Sequence, residues 1–266
     1  MPRDSSTPRS ASAKPPDDPR RPPRLKEITE AAERIARFVH RTPVLTCSEI
    51  DRRVGARLLF KCESFQKAGA FKIRGATNMV QQISAQHAER GVATHSSGNH
   101  AAALALAARQ RAVPALIVMP RNAPRVKTAA VRDYGGEITF CEPTIEARHR
   151  ALEQILEARG CCFVPPYDHP WIIAGQGTVG LELLAQAGPL EAIIAPVGGG
   201  RLLSGVSLAV RAISPRTQIF GAEPESADDA ARSLEAGRLL DNAHPRTIAD
   251  GLLAPLSELT FGILRR

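Results

Sequence analysis

The chain has 266 residues, of which 43% are hydrophobic and 23% are charged. This ordinary globular composition excludes a wholly disordered, collagen-like or disulfide-stapled chain. The longest purely apolar run, Ala101–Ala108, is far too short to cross a bilayer, so we expect no membrane partner. The net charge of +8 is dispersed and aromatic residues make up only 4%, which argues against a nucleic-acid partner.

Residues 1–24 differ in composition from the rest, because they are rich in proline, serine and arginine and almost free of apolar side chains. Such a segment cannot bury enough surface to offset its ordering entropy, so residues 1–24 are predicted to be a disordered tail. The five cysteines form no C-x-x-C pair and no secretory signal precedes them, which predicts free thiols and a cytoplasmic protein.

Beyond the tail, apolar residues at helical spacing predict an amphipathic helix over Lys26–Val39, and Arg57–Glu63 is typical of a short strand. Further along, short apolar runs alternate with longer helical stretches. The predicted strands are Ala115–Met119, Glu137–Cys141, Ala192–Val197 and Gln218–Ala222. The predicted helices are Asn99–Arg111, Thr144–Arg159, Leu202–Ile213 and Ala227–Ala236. This alternation, with uniformly apolar strands, predicts an α/β protein whose parallel sheet is covered on both faces.

The segment from Gly175 to Gly180 matches the dinucleotide-binding pattern G-x-G-x-x-G. Such a site requires a preceding strand and an acidic residue about 20 positions further on. His169-Pro-Trp precedes the segment here, and no acidic residue follows at that distance. We therefore reject a dinucleotide site and interpret the glycines as the opening of a tightly packed helix.

A second glycine-rich segment, Pro196–Gly205, follows a predicted strand and precedes a predicted helix. Consecutive glycines allow several backbone N–H groups to converge on an anion, and a helix N-terminus adds its positive end. The segment therefore predicts a phosphate-binding loop, with a merely flexible loop as the alternative.

Two further segments contain polar groups suited to an amino-acid substrate. Lys72 lies between Phe71 and Ile73, so its amine is expected to be desolvated and nucleophilic, unless it is an ordinary surface lysine. Thr94–His100 precedes an apolar helix and offers hydroxyl, amide and backbone donors to a carboxylate, with a simple Ser/Asn helix cap as the alternative.

The acidic segment Gly221–Asp229 provides oxygen ligands suited to a hard divalent cation, although an acidic helix start explains it equally well. A phosphate-binding loop, an imine-forming lysine and a carboxylate site together describe pyridoxal phosphate and its amino-acid substrate.

The chain resembles the serine/threonine dehydratases and serine racemases, which are pyridoxal-phosphate enzymes with the tryptophan-synthase β-like fold. The resemblance extends from about Leu25 to Arg266 and depends on six motifs in the family's order. They are Ser-Phe-Gln-Lys-Ala-Gly-Ala-Phe-Lys72-Ile-Arg-Gly-Ala, Ser96-Ser-Gly-Asn-His, Ala174-Gly-Gln-Gly-Thr, Pro196-Val-Gly-Gly-Gly, Ala222-Glu-Pro and Thr247-Ile-Ala-Asp-Gly. It implies a large cofactor-binding domain (25–90 and 169–266) and a small domain (91–168).

By this resemblance, the expected catalytic residues are Lys72, which binds the cofactor and removes the Cα proton, and Ser97. The expected cofactor-binding residues are Phe71, Lys72, Asn99, Gly198, Gly199, Gly200, Arg201 and Leu202. The expected substrate-binding residues are Ser96, Ser97, Asn99 and His100. The expected ligands of Mg²⁺ or another divalent cation are Glu223, Asp229 and the carbonyl of Ala227.

The implied activity is the pyridoxal-phosphate-dependent elimination of water and ammonia from L-threonine or L-serine, giving a 2-oxo acid. Serine racemisation on the same fold is one alternative, and a truncated, weakly active or non-catalytic remnant is another. The resemblance also implies a homodimer.

Two features depart from the family pattern. Arg201 stands where the family usually has a fourth glycine, so it is expected either to be strained or to add a cation near the phosphate. The family sequences also continue beyond the position of Arg266, which predicts an incompletely covered sheet, poor stability and weak cofactor binding.

Overall fold

The computed structural model describes residues 21–166, 168–241 and 245–266. Its strands are β1 (Val44–Leu45), β2 (Phe60–Lys61), β3 (Val92–His95), β4 (Ala115–Pro120), β5 (Glu137–Cys141), β6 (Cys162–Phe163), β7 (Ala192–Pro196) and β8 (Gln218–Ala222). Its α-helices are α1 (Leu25–Ile35), α2 (Ser48–Val54), α3 (Lys72–Gln82), α4 (Ala85–Ala88), α5 (Asn99–Arg111), α6 (Arg125–Asp133), α7 (Ile145–Arg159), α8 (Pro170–Ala187), α9 (Arg201–Ile213), α10 (Asp229–Ala236) and α11 (Glu258–Leu264).

Four strands form a parallel sheet in the order β5-β4-β3-β6. Within β4, Ile117 and Met119 belong to the core formed with α5, whereas Leu116 and Val118 pack with residues of α7. Because helices cover both faces, every residue of β4 is buried and the strand is uniformly apolar. The predicted α/β class, with a parallel sheet flanked by helices, is confirmed.

Helix α8 lies at the centre of a second group of elements, with α1, α3 and α9 packed around it. Backbones touch at two of these contacts. A Cβ atom on Gly175 would lie 2.6 Å from the Cα of Gly75, and one on Gly205 would lie 2.5 Å from the amide nitrogen of Gly177. These glycines are therefore required by helix packing, and the two helices approach α8 more closely than any side chain would allow.

A buried group of charges joins the same elements. The guanidinium of Arg74 is fully buried and bonds to Glu63 at 2.8 Å and to Glu182 at 2.7 Å, while Lys61 bonds to Glu182 at 2.7 Å. The hydrogen bonds from Arg74 and Lys61 outweigh burial and lower the pKa of Glu182. Since Arg74 lies two residues after Lys72, this network fixes the first turn of α3 against β2 and α8.

The last two strands, β7 and β8, are parallel and pair with no further strand among the described residues. Ile194 and Phe220 on these strands are 69% and 48% exposed. The expected incompletely covered sheet is therefore present in this part of the described chain. The expectations of poor stability and weak cofactor binding stay predictions.

Several boundaries differ from those predicted. The first helix ends at Ile35 instead of Val39, and the predicted strand Arg57–Glu63 contracts to β2, which pairs antiparallel with β1. The helix predicted from Ala227 begins at Asp229 after a short 3₁₀ turn. The G-x-G-x-x-G segment lies inside α8 rather than at its start, because its glycines serve contacts along the helix. Strands β3 and β6, which are short, were not predicted.

Other predictions fall partly outside what is described. Most of the predicted tail, residues 1–20, lies outside the described residues. The parallel sheet from β3 to β6 lies within the predicted small domain (91–168), but the domain division stays a prediction, as do the homodimer and the cytoplasmic location.

All five cysteines are free: Cys47, Cys62, Cys141, Cys161 and Cys162. In the part of the chain that the structure describes, no helix is long and apolar enough to span a membrane.

The glycine contacts predict that Gly205→Ala destabilises the protein by about 2 kcal/mol, since overpacking against backbone exceeds the gain in helix propensity. Gly180→Ala in α8 is the control, because its Cβ would meet its nearest neighbours at an ordinary 3.4 Å. Urea unfolding midpoints measure both variants. Equal stability of the two variants would contradict the packing argument.

Candidate active site

Lys72 is the first residue of α3 and follows Phe71 directly. Its Nζ lies 5.0 Å from the centre of the Phe71 ring. Although the side chain is partly exposed, desolvation of the amine and the positive charge of Arg201 lower the pKa of Lys72 well below its ordinary value. The amine is therefore desolvated, as its apolar neighbours predict, and it is neutral at a lower pH than a surface lysine.

The segment Ser96–His100 joins the end of β3 to the start of α5. Gly98 occupies the cap position, and no side chain caps the helix. The Ser96 hydroxyl instead accepts a bond from the N–H of Gly98 at 3.3 Å. The alternative of a simple Ser/Asn cap is therefore wrong, and the first N–H groups of α5, on Asn99 and His100, are available to an anion.

The imidazole of His100 is buried, and its electrostatic surroundings are positive. Burial and the charges of Lys72 and Arg201 lower the pKa of His100 to about 3, although a hydrogen bond with the Val164 backbone opposes this shift. Its Nε2 atom is buried and has no hydrogen-bond partner. With this pKa, the ring is neutral near pH 7.

The glycine loop 198–200 is buried between β7 and α9. A Cβ on Gly198 would lie 3.0 Å from the carbonyl oxygen of Gly251, which belongs to the last of the six motifs. Gly200 has φ +76° and caps α9 without a side-chain bond, whereas Arg201 is the first residue of the helix. The expectation of a strained Arg201 is wrong, because the left-handed conformation falls on Gly200. Leu202 follows in the same turn and is partly buried.

The structure brings three of the predicted motifs to one place. The starts of α3, α5 and α9 carry Lys72, His100 and Arg201. The charge of Arg201 lowers the pKa of both Lys72 and His100. Side chains cap none of these three helices. Ser97 and Asn99 lie on the same connection, Ser97 half-buried and Asn99 exposed. The arrangement combines uncapped helix starts, which favour an anion, with an amine whose pKa is lowered.

The acidic cluster lies around the start of α10. Glu223 accepts bonds from the N–H groups of Ala230 at 3.2 Å and Ala231 at 2.8 Å. Asp229 is 2% exposed, and its Oδ2 has no partner. Burial and mutual repulsion raise the pKa of Glu223, and burial raises that of Asp229. Ala227 is fully buried beside them. Among the described residues, no group of three His, Cys, Asp or Glu side chains is placed to bind a metal.

Sequence reasoning missed several groups at the site. An ion pair joins Lys127 of α6 to Asp250, which precedes the Gly251 that contacts the glycine loop. A Cβ on Gly98 would lie 3.7 Å from the Lys127 amine. The hydroxyls of Thr94 and Ser204 are buried without partners. Thr94 lies within a polar segment that the sequence did indicate, whereas nothing in the sequence identifies Lys127.

Comparison with known proteins agrees with this geometry. Residues 35–266 match the family described as "Pyridoxal-phosphate dependent enzyme". The chain is 50% identical over 241 residues to a serine racemase of Oryza sativa subsp. indica, with 91% of this chain and 71% of the relative covered. It is 46% identical over 243 residues to a β-hydroxyaspartate dehydratase of Paracoccus denitrificans, with 91% and 77% covered. The solved structure of a threonine deaminase from T.th. matches with a TM-score of 0.87 and 47% identity, covering 92% of this chain and 80% of that one.

Two buried histidines predict acid sensitivity. Burial and nearby positive charges lower the pKa of His95 to about 4, while that of His100 is about 3. An unfolded histidine titrates near 6.5, so below this pH the unfolded state binds protons that the folded state excludes. The free energy of unfolding should therefore fall as the pH drops from 6.5 to 4, by up to about 1.4 kcal/mol per pH unit for each histidine.

Urea unfolding at several pH values measures this slope. His100→Gln should make the slope shallower than in the unchanged chain, whereas His87→Gln, at an exposed position, is the control. Identical slopes for His100→Gln and the unchanged chain would show that His100 takes up its proton in the folded state.

Proposed function

The chain belongs to the family of pyridoxal-phosphate-dependent enzymes, and from this premise we propose that it eliminates water and ammonia from L-serine or L-threonine to give a 2-oxo acid. The family has lyase and racemase members, as the names of the relatives show. The observation that supports the proposal is the desolvated amine of Lys72 beside the uncapped start of α5.

The residues present fit the cofactor. The buried glycine loop admits no side chain at Gly198 or Gly200, where a Cβ would lie 2.9 Å from the Cα of Leu252 and 2.6 Å from Leu256. The three consecutive glycines therefore carry no side chain that would compete with a phosphate for their backbone N–H groups. Ser204, one turn into α9, has a buried hydroxyl without a partner. We assign the phosphate to the backbone of residues 198–202, the ring to the neighbourhood of Phe71 and Asn99, and the covalent link to Lys72.

The same residues suit the reaction. When bound, the cofactor withdraws electrons from the Cα of an amino-acid substrate. The backbone and side-chain donors of Ser96, Ser97, Asn99 and His100 hold the substrate carboxylate and so orient Cα toward Lys72. We assign removal of the Cα proton to Nζ of Lys72, because its lowered pKa favours the unprotonated amine, which can accept a proton. Loss of the β-hydroxyl as water leaves an enamine, and its imine tautomer then takes up water and releases ammonia to give the 2-oxo acid.

Serine racemisation is the second candidate, supported by the 50% identity to a serine racemase. Racemisation needs a proton carrier on each face of Cα. We assign Lys72 to one face and Ser97, on the connection between β3 and α5, to the other. A lyase needs only the first carrier, so the two activities differ in their dependence on the Ser97 hydroxyl.

We also propose that Glu223, Asp229 and the Ala227 carbonyl hold a divalent cation. The partnerless Oδ2 of the buried Asp229 fits an oxygen ligand of such an ion. The carboxylate of Asp229 repels that of Glu223 and raises its pKa. A bound dication would offset this repulsion. The ion would brace the start of α10 beside β8 and would not contact the substrate.

The catalytic assignment predicts specific products from the full chain loaded with pyridoxal phosphate. L-serine should yield pyruvate and L-threonine 2-oxobutanoate, and L-threo-3-hydroxyaspartate is the competing substrate to test. Lys72→Ala should lower each rate about 10³-fold or more, because it removes the proton carrier. Lys67→Ala, in the same segment, is the control. Ser97→Ala should abolish D-serine formation and leave 2-oxo acid formation within about tenfold.

The outcomes separate the alternatives. Equal loss of both products in Ser97→Ala would mean that this residue serves binding rather than one face of Cα. A folded chain that binds the cofactor without forming any product would support the non-catalytic alternative. A chain that binds no cofactor would overturn the proposed function.

The cation site predicts that Mg²⁺ raises the melting temperature of the full chain and that Asp229→Asn abolishes the increase. A ligand at 100 times its dissociation constant stabilises by about 2.7 kcal/mol, which thermal unfolding readily detects. Asp228→Asn is the control, since this neighbouring carboxylate is partly exposed and pairs with Arg232. Equal stabilisation of both variants would place the ion elsewhere.

A further inference from the structure

Arg201 has a side chain whose position is unusual for the first residue of a helix. The residue is only 7% exposed, and its guanidinium lies back over the glycine loop that precedes it. A Cβ on Gly199 would lie 2.6 Å from one terminal nitrogen of Arg201 and 2.9 Å from its central carbon. The guanidinium therefore occupies the space directly above the Cα of Gly199, inside the loop rather than in solvent.

The charge of this guanidinium is felt within the site. It lowers the pKa of Lys72 and contributes to the low pKa of His100. The uncapped starts of α5 and α9 add positive potential at the same place. A guanidinium at such a point is placed to bond to an anion that the loop holds.

We propose that the Arg201 side chain is a ligand of the cofactor phosphate, so that this loop binds the phosphate through a guanidinium as well as through backbone N–H groups. The inference rests on the cofactor assignment of the proposed function. A guanidinium presents paired N–H donors that match phosphate oxygens, and its bonds to an anion are stronger than those of neutral donors.

Two other roles for Arg201 are less consistent with the geometry. A purely structural arginine would direct its guanidinium away from the loop, whereas a Cβ on Gly199 would meet this guanidinium at 2.6 Å. A ligand for a second carboxylate of the substrate would be expected to face Ser96–His100, whereas this guanidinium lies over the glycine loop, where a Cβ on Gly199 would stand. The phosphate is the anion that this loop is built to hold.

The experiment compares pyridoxal phosphate with pyridoxal, which lacks the phosphate, in titrations of the cofactor-free full chain followed by absorbance. Arg201→Met should weaken pyridoxal phosphate binding tenfold or more and leave pyridoxal binding unchanged within about twofold. Arg201→Lys should fall between, since it keeps the charge but not the paired donors. Inorganic phosphate should compete with pyridoxal phosphate less well in Arg201→Met. The ³¹P signal of the bound cofactor should also shift in this variant.

Arg211→Met is the matched control, because it removes the same charge from an exposed position on the same helix. Equal losses for pyridoxal phosphate and pyridoxal in Arg201→Met would overturn the proposal in favour of a structural role. Unchanged binding of both, with a raised KM for 3-hydroxyaspartate only, would overturn it in favour of a substrate carboxylate. If the unchanged chain binds neither compound, the proposed function itself fails, and that result is distinct from a failure at Arg201.

Discussion

Backbone contact between α8 and its two neighbours is the constraint on which the rest of the structure depends. Gly75 and Gly175 bring α3 against α8, and Gly177 and Gly205 bring α9 against its other side. At these distances neither helix can shift without a collision between backbones, because no flexible side chain lies between them. Lys72 is the first residue of α3, and the glycine loop directly precedes α9. Close packing of these helices on α8 therefore fixes the two parts of the site relative to each other.

The same packing creates a site whose potential is positive throughout. Arg201 is a nearby cation, and the uncapped start of α5 adds its dipole. This potential has two consequences that support each other. It attracts a phosphate and a carboxylate, and it disfavours the protonated forms of Lys72 and His100. Affinity for anions and a lowered pKa of the amine are thus two effects of one field.

The sequence was sufficient for the α/β class and for most elements, because buried parallel strands such as β4 are uniformly apolar and helices such as α5 keep their spacing. It was insufficient where the deciding contact lies far away in the chain. The glycines of α8 were placed at a helix start, since mid-helix glycine is locally unfavourable by about 1 kcal/mol. The position of Gly175 and Gly177 inside α8 is explained by their backbone contacts with Gly75 of α3 and Gly205 of α9. Arg201 was expected to be strained because the sequence does not show that Gly200 takes the left-handed conformation.

On the proposed roles, the choice between elimination and racemisation depends on the position of Ser97 relative to Lys72, and these residues belong to different motifs. Lys72 belongs to the helices around α8, whereas Ser97 follows β3 of the four-stranded sheet. Their relative position is set by the packing of α3 on α5 and by the ion pair of Lys127 with Asp250, which joins α6 to the segment that contacts the glycine loop. A small shift between these two parts would move the Ser97 hydroxyl while leaving Lys72 and its pKa unchanged. On the proposed roles, the motifs therefore place each part of the site, and the packing between the parts positions Ser97 relative to Lys72.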